Sequence, residues 1–326
     1  VSVEVRSLRG DIERLTSGGA KPDIAEARRA VALLLDALGR GEVRAAERVA
    51  GDGGAGAAPR RGGSPVAGKK GAATDTDDGS AADTGTWQAV PWVKAGILLA
   101  FRIGITRSFD PFVPAANDAF MGSTFRWADR DTLPLRGTDG PGENVRLVPG
   151  GTSVRAGAYL GPGVVIMPPA FVNIGAYVDE GAMIDSHALV GSCAQVGKRV
   201  HLSAGAQLGG VLEPVGLRPV IIEDEAMVGG NAGVFEGTLV GRRAVLAPGV
   251  QLTASTTVYD LVRETEYRAA PGAPLTVPAG AVVVPGSRPA RGAYAQERGL
   301  TVYAPVIVKY RDERTDAATA LEEALR

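Results

Sequence analysis

The sequence predicts a mainly-β solenoid, and three observations predict it. Aliphatic residues recur every six positions from Val154 through Leu160, Ile166, Val172, Val178, Ile184, Val190, Val196 and Leu202 to Leu208. The rhythm resumes at Ile222, Val228, Val234, Val240, Leu246 and Leu252, and Ala often stands two positions before a member of the series. Neither the helical period of about 3.6 nor strand alternation gives this spacing, whereas a hexapeptide β-helix does. Composition agrees: 45 Gly and 21 Pro with only 5% aromatics suit a turn-rich coil better than a layered core.

Each six-residue unit makes one short strand and a turn, with the aliphatic residue pointing inward and the small residue before it letting the chain round the corner. Three units close a triangular coil of about 18 residues that stacks on the next at the ~4.8 Å strand spacing. With Val277 and Val283 the units make about six coils, a prism on the order of 30 Å long. Gly157, Gly163, Gly175, Gly181 and Gly205 stand three positions after an inward aliphatic, where the turn takes positive φ. Spacing alone leaves the hand of the coil open.

Ahead of the coil, Pro22 and Asp23 start an amphipathic helix whose Ala27, Val31, Leu34, Leu35 and Leu38 share one face before Gly39 and Gly41 end it. Residues 51–86 are Gly, Ala, Asp and Ser with Val66 as the one bulky aliphatic, too little apolar surface to offset the entropy of ordering, and are expected to form a disordered insertion. Pro91 opens a second helix, with Val93, Ile97 and Phe101 on one face and Gly104 as its stop, expected to pack on the first. From Ser108 to Gly142 connecting turns are expected, with solvated Asp and Arg pairs. The division is therefore residues 1–144 helical with an insertion, 145–290 coil, and 291–326 a closing strand and helix, the helix in TDAATALEEALR.

Composition narrows the function. A net charge of −1 gives no reason to expect nucleic acid, and the single Cys193 excludes an intramolecular disulfide framework. No apolar run approaches the ~20 residues that span a bilayer, and VSVEVRSLRG lacks a signal peptide's apolar core. A protein of the cytoplasm, without membrane or nucleic-acid partners, is expected.

Chemistry is sought where the repeat breaks. Asp179, Asp185, His187 and Cys193 replace the usual residues at or near turns within fifteen positions, and Gly209–Ile221 interrupts the count, so it leaves the prism as a loop able to reach a neighbouring subunit. A turn Asp ordinarily satisfies local N–H groups, and a buried Cys ordinarily packs.

AYVDEGAMIDSHALVGSCAQVGKRVHLSAGAQLGGVLEP followed by PVIIEDEAMVGG resembles the core of the tetrahydrodipicolinate N-succinyltransferase family of hexapeptide-repeat acyltransferases. LLLDALGRGEVRAAERV and WQAVPWVKAGILLAFRI resemble its N-terminal helices, VRLVPG its lead-in to the coil, and VYAPVIVKY its closing strand. The resemblance implies a left-handed parallel β-helix with an N-terminal helical domain, a homotrimer with sites between adjacent prisms, and succinyl-CoA as co-substrate with no metal. The acceptor it implies is the amino group of a dicarboxylate, the ring-opened 2-amino-6-oxopimelate. By motif, Arg146 would pair a substrate carboxylate and Asp185 would orient and deprotonate the nucleophilic amine.

Some family members carry a second acid where this chain has Gly233; Glu236 matches a different Glu of the same stretch and is a candidate substrate contact. Either Asp185 works without a second carboxylate, or His187 shares in proton handling. Gly229, Ala247 and Gly249 are small enough for a pantetheine arm to approach the backbone, and Lys309, Arg242 and Arg243 are cations for the CoA phosphates. Three rival readings remain: an acetyl donor on the same acceptor, a zinc hydratase on the same coil, and a non-catalytic structural β-helix. The hydratase would need three His ligands, and this chain has only His187 and His201.

Overall fold

A computed structural model describes residues 3–18, 21–49, 86–109, 127–137, 144–312 and 317. Its centre is the left-handed parallel β-helix expected, built on three flat faces. Face one stacks Tyr159–Leu160, Tyr177–Val178, Gln195–Val196, Ile221–Ile222, Leu239–Val240 and Thr276–Val277. Face two begins at Arg146–Leu147 and climbs through Val165–Ile166, Met183–Ile184, His201–Leu202, Met227–Val228 and Val245–Leu246 to Ala281–Val284. Face three stacks Ser153–Val154, Phe171–Val172, Leu189–Val190, Gln207–Leu208, Gly233–Val234 and Gln251–Leu252.

The second residue of each coil pair points inward, and the six-spaced series from Val154 to Leu252 is buried throughout. Each such side chain is worth about 1.5–3 kcal/mol of transfer free energy. Alanines such as Ala158, Ala176, Ala188 and Ala232 are buried at the bends, where a larger side chain would crowd the interior. The turn glycines take the positive φ expected, Gly157 at 80° and Gly181 at 68°, and His187, Cys193 and Arg199 adopt the same conformation at 63°, 67° and 52°. Beyond Leu252 a hairpin, Thr257–Asp260 with Thr265–Arg268, interrupts the coil a second time; the spacing did not announce it. The closing strand Val306–Tyr310 runs antiparallel to Ala281–Val284 and parallel to Thr257–Asp260.

Among the described residues three helices precede the coil: α1 (Val3–Ser17), α2 (Ile24–Gly39) and α3 (Pro91–Ile103). Asp23 caps α2 by accepting the Glu26 N–H at 2.7 Å, Pro91 sits in the first turn of α3, and Gly104 is its C-cap, as read from sequence. Helix α1 was not anticipated; its Leu8, Ile12 and Leu15 pack with α2 and α3. Two ribbons correct the expectation of plain connections. Ala46–Val49 pairs antiparallel with Thr86–Ala89, and Thr106–Phe109 with Trp127–Arg130. Asp131 accepts from Arg28 at 3.0 Å, and Asp129 accepts from Arg155 at 2.6 Å, so these carboxylates tie the second ribbon to α2 and to the coil. The insertion expected at residues 51–86 lies, except for Thr86, outside the described residues, as does the C-terminal helix except for Ala317.

Candidate active site on the open corner

The three corners of the prism differ in what covers them. Where face three turns into face one, Ile174, Cys193, Ala156 and Leu212 pack under the helices; this is the helix corner. Where face one turns into face two, charges pair lengthwise: Lys198 with Glu180 at 3.2 Å, and Arg199 and Arg242 with Glu225 at 2.7 and 3.4 Å. Where face two turns into face three, His187, Ala204, Asn231, Pro248 and Gly249 stand exposed, one coil above another. The chain there is tied by backbone bonds, Gly205 N–H to Ser186 O at 2.8 Å, Asn231 to Ala204 at 3.0 Å and Gly249 to Gly230 at 3.0 Å. This third corner is open.

The four sequence departures, close along the chain, go to three different corners. Asp179 joins the charged corner, Asp185 and His187 the open one, and Cys193 the helix corner. Cys193 is fully buried and its thiol is pushed up to about 12 by burial, so it packs rather than reacts. Asp179 and Asp185 make the same local bond: Glu180 N–H donates to Asp179 Oδ1 at 2.8 Å, and Ser186 N–H to Asp185 Oδ1 at 2.7 Å. Asp185 is half-buried beside the exposed His187, whose carbonyl accepts from Gln207 Nε2 at 3.1 Å.

Of the other residues expected at the site, Gly229, Ala247 and Gly249 lie on the open corner above Asp185, but Gly249 alone of the three is exposed; Gly229 and Ala247 are buried between coils, out of reach of a bound chain. Arg146 is exposed on face two, paired with Val165, which pairs with Met183; it is thus two coil steps, about 10 Å, from the coil of Asp185 and on the same flank. A Cβ added at Gly249 would meet nothing within 4 Å, whereas one at Gly229 would lie 2.6 Å from the Leu246 carbonyl oxygen. Gly249 therefore leaves room for a ligand, and Gly229 lets successive coils touch.

Three expected residues fall elsewhere. Glu236 sits on the helix corner, its Oε2 accepting the Ala254 N–H at 2.6 Å, so within one protomer it does not meet Asp185. Lys309 is on the closing strand opposite Val282, at the far end of face two. Arg242 and Arg243 belong to the charged corner around Glu225, and Arg243 also donates to the Asp312 carbonyl at 2.8 Å. At Gly233 any side chain would collide with Gln251 and with the Phe235 ring, which occupies the space above it.

The excursion loop leaves the prism as expected, yet it is seated on the helices of its own chain. Lys94 of α3 is fully buried and donates from Nζ to the carbonyls of Leu217 at 2.7 Å and Pro214 at 3.3 Å. Burial lowers its pKa. Its exposed residues are Gly210 at the root and Glu213, Pro214 and Gly216 at the tip. Spacing did not flag Lys94; a lysine inside an apolar helical stretch was the available signal. Among the described residues no three His, Cys, Asp or Glu side chains gather as a metal site requires.

Comparison with known proteins gives the geometry its chemistry. The family described as "Hexapeptide repeat of succinyl-transferase" matches residues 219–254. A 2,3,4,5-tetrahydropyridine-2,6-dicarboxylate N-succinyltransferase of Coxiella burnetii is 44% identical over 246 residues, 74% of this chain and 81% of that protein. Proteins of the same name from Polynucleobacter asymbioticus and Idiomarina loihiensis are each 37% identical, the first over 75% of this chain and 82% of its own length, the second over 94% and 92%. With identity at this level running through the coil and its flanks, the chain belongs to the 2,3,4,5-tetrahydropyridine-2,6-dicarboxylate N-succinyltransferase family.

Proposed function

We propose that this chain transfers a succinyl group from succinyl-CoA to the amino group of 2-amino-6-oxopimelate, the ring-opened form of tetrahydrodipicolinate, in lysine and diaminopimelate biosynthesis. The observation that carries the reading is the 37–44% identity to enzymes of that name over most of the chain. The open corner supports it: its one carboxylate, Asp185, stands on a flank of exposed backbone with a guanidinium two coil steps away.

In this reading Arg146 pairs a carboxylate of the acceptor, and Asp185 accepts a hydrogen bond from its amine. As the nitrogen attacks the thioester carbonyl, Asp185 takes the amine proton. The C–S bond then breaks, the thiolate of CoA leaves and is protonated, and the products are an amide and free CoA. A thioester is already activated, so no covalent enzyme intermediate is needed. His187, two residues on, is the alternative proton acceptor. Phe235 filling the space above Gly233 favours a reaction run on one carboxylate. The pantetheine arm passes the exposed Gly249, with Lys309 further along. A homotrimer completes the site, because Glu236, on the helix corner, can reach the acceptor only from a neighbouring prism.

Thiol release from succinyl-CoA in the presence of a 2-aminopimelate analogue tests the proposal. Turnover several-fold faster than with acetyl-CoA is expected. No turnover with either donor would overturn it, and an acetyl preference would replace the donor.

A further inference from the structure

From the coil of Asp185 the turns of the open corner climb through His187, Gly205, Asn231 and Gly249, each one coil above the last. With the acyl-CoA arm passing Gly249 and the amine held at Asp185, the thioester carbon lies between them, over Gly205. Two groups are then needed. A base takes the amine proton, and a donor meets the negative charge that the carbonyl oxygen acquires on attack. Asp185 is assigned to the first task, and the second has no residue yet.

Asn231 stands where that donor belongs. Its backbone is fixed at φ 55°, its N–H bonds the Ala204 carbonyl at 3.0 Å, and its own carbonyl accepts from Gln251 Nε2 at 2.9 Å. The side chain folds down the corner, so that Oδ1 would stand 2.4 Å and the carboxamide carbon 3.3 Å from a Cβ added at Gly205. The bare backbone of Gly205 thus makes room for the amide directly above the coil of Asp185, and the Nδ2 end is turned outward on an exposed residue. Among the described residues nothing bonds this carboxamide, so both of its N–H groups are open to a ligand.

The backbone argues the same way. Gly205 and Gly249, the turns below and above, take positive φ of 71° and 78° without steric cost, whereas Asn231 and His187 carry side chains there. Residues held in that region cluster where a side chain has to be aimed, and the glutamine brace recurs at His187, whose carbonyl accepts from Gln207 Nε2 at 3.1 Å. His187 is level with Asp185, beside the base; Asn231 is the one that hangs over the carbonyl. An amide is also uncharged, so it does not pair with Asp185 and hold its proton affinity down as a lysine or arginine would.

We propose that Asn231 Nδ2 is the oxyanion donor of the transfer, an assignment that rests on the reaction proposed above. As the amine nitrogen bonds to the thioester carbon, the π pair of the carbonyl moves onto oxygen, where the Asn231 N–H meets it, and Asp185 takes the amine proton. The pair returns as the C–S bond breaks; the thiolate of CoA leaves and is protonated, and the amide remains.

Thiol-release kinetics with succinyl-CoA, together with calorimetric titration of CoA on the same full-length proteins, test it. Asn231→Gly keeps the positive φ and removes the donor. Its kcat is expected to fall about a hundredfold, with KM for both substrates and the affinity for CoA within about twofold. Asn231→Asp keeps the shape but sets a carboxylate against the developing charge, and is expected to fall about tenfold further. A kcat of Asn231→Gly within about threefold of the unaltered protein overturns the assignment, and so does a loss confined to KM or to CoA affinity, which would make Asn231 a binding group. If Asn231→Gly does not fold, Asn231→Asp decides by the same criteria. If the unaltered protein turns over neither succinyl-CoA nor acetyl-CoA, the reaction itself is refuted and the assignment falls with it.

Discussion

The charged corner and the open corner are made by the same turn, repeated coil after coil, and they have opposite uses for it. At the charged corner Glu180, Lys198, Arg199, Glu225 and Arg242 spend their charges on one another along the axis. Exposed pairs of this kind are worth about 0–1 kcal/mol each, and they leave few groups for a ligand. The open corner instead carries small or uncharged residues around one carboxylate, so its backbone stays within reach of a bound chain. Asp179 and Asp185 bring the contrast to a single residue type: each follows an inward aliphatic, each accepts the next N–H, and only the corner differs.

Breaking that pair gives the largest expected effect. Asp185→Asn lowers kcat by at least about a hundredfold, while Asp179→Asn stays within about twofold, as thiol-release rates would show. Equal losses would erase the distinction between the corners. Glycines sharpen it next. Gly249 and Gly163 both have positive φ, 78° and 75°, and Asn tolerates that conformation. Gly249→Asn on the open corner is expected to raise KM for the acyl-CoA about tenfold, and Gly163→Asn on the charged corner to leave it unchanged.

The charged corner should answer in stability rather than rate. Hydrogen bonding from Arg199 holds the Glu225 carboxyl below its usual range. Its stabilisation is therefore complete above the ordinary carboxylate pKa and is lost as pH falls through the depressed one. Glu225→Gln is expected to lower the melting temperature by about 2 °C at pH 7, and the difference to shrink below about pH 4. The smallest effect belongs to the helix corner: Cys193 in the native protein resists iodoacetamide at pH 8 and reacts once unfolded, which mass spectrometry would detect. Rapid native labelling would show that corner to be open as well.

Much of this was legible in the sequence, and the rest was hidden for physical reasons. A six-residue period is an unusual constraint, so Val154 to Leu252 declared the interior and the turn positions together. Helices α2 and α3 carried caps and continuous apolar faces. Helix α1 sets Val5, Leu8, Ile12 and Leu15 among charged neighbours, a narrow stripe that is hard to read without its partners. Both N-terminal ribbons pair segments far apart in sequence, and each is too short for alternation to register. Assigning departures to corners was possible in principle, since three units return to the same corner, but sequence proximity grouped Asp179, Asp185 and Cys193 as neighbours. The seat of Lys94 depends on the excursion loop returning to α3, and no local pattern encodes that return.

The first ribbon has a practical consequence for engineering. Val49 and Thr86 are register partners, so the chain enters and leaves residues 50–85 across a single strand pair. That pair is held to face one by Trp87, which packs with Ile221 and Leu239 and donates from its indole to Glu223 at 2.9 Å. The junction is therefore a cloning port to try: cargo of different length spliced there is expected to leave its two ends stapled to the prism. A fluorescent reporter fused in place of residues 50–85 would ride on the face opposite the open corner, and an unchanged melting temperature would show that the strand pair still holds.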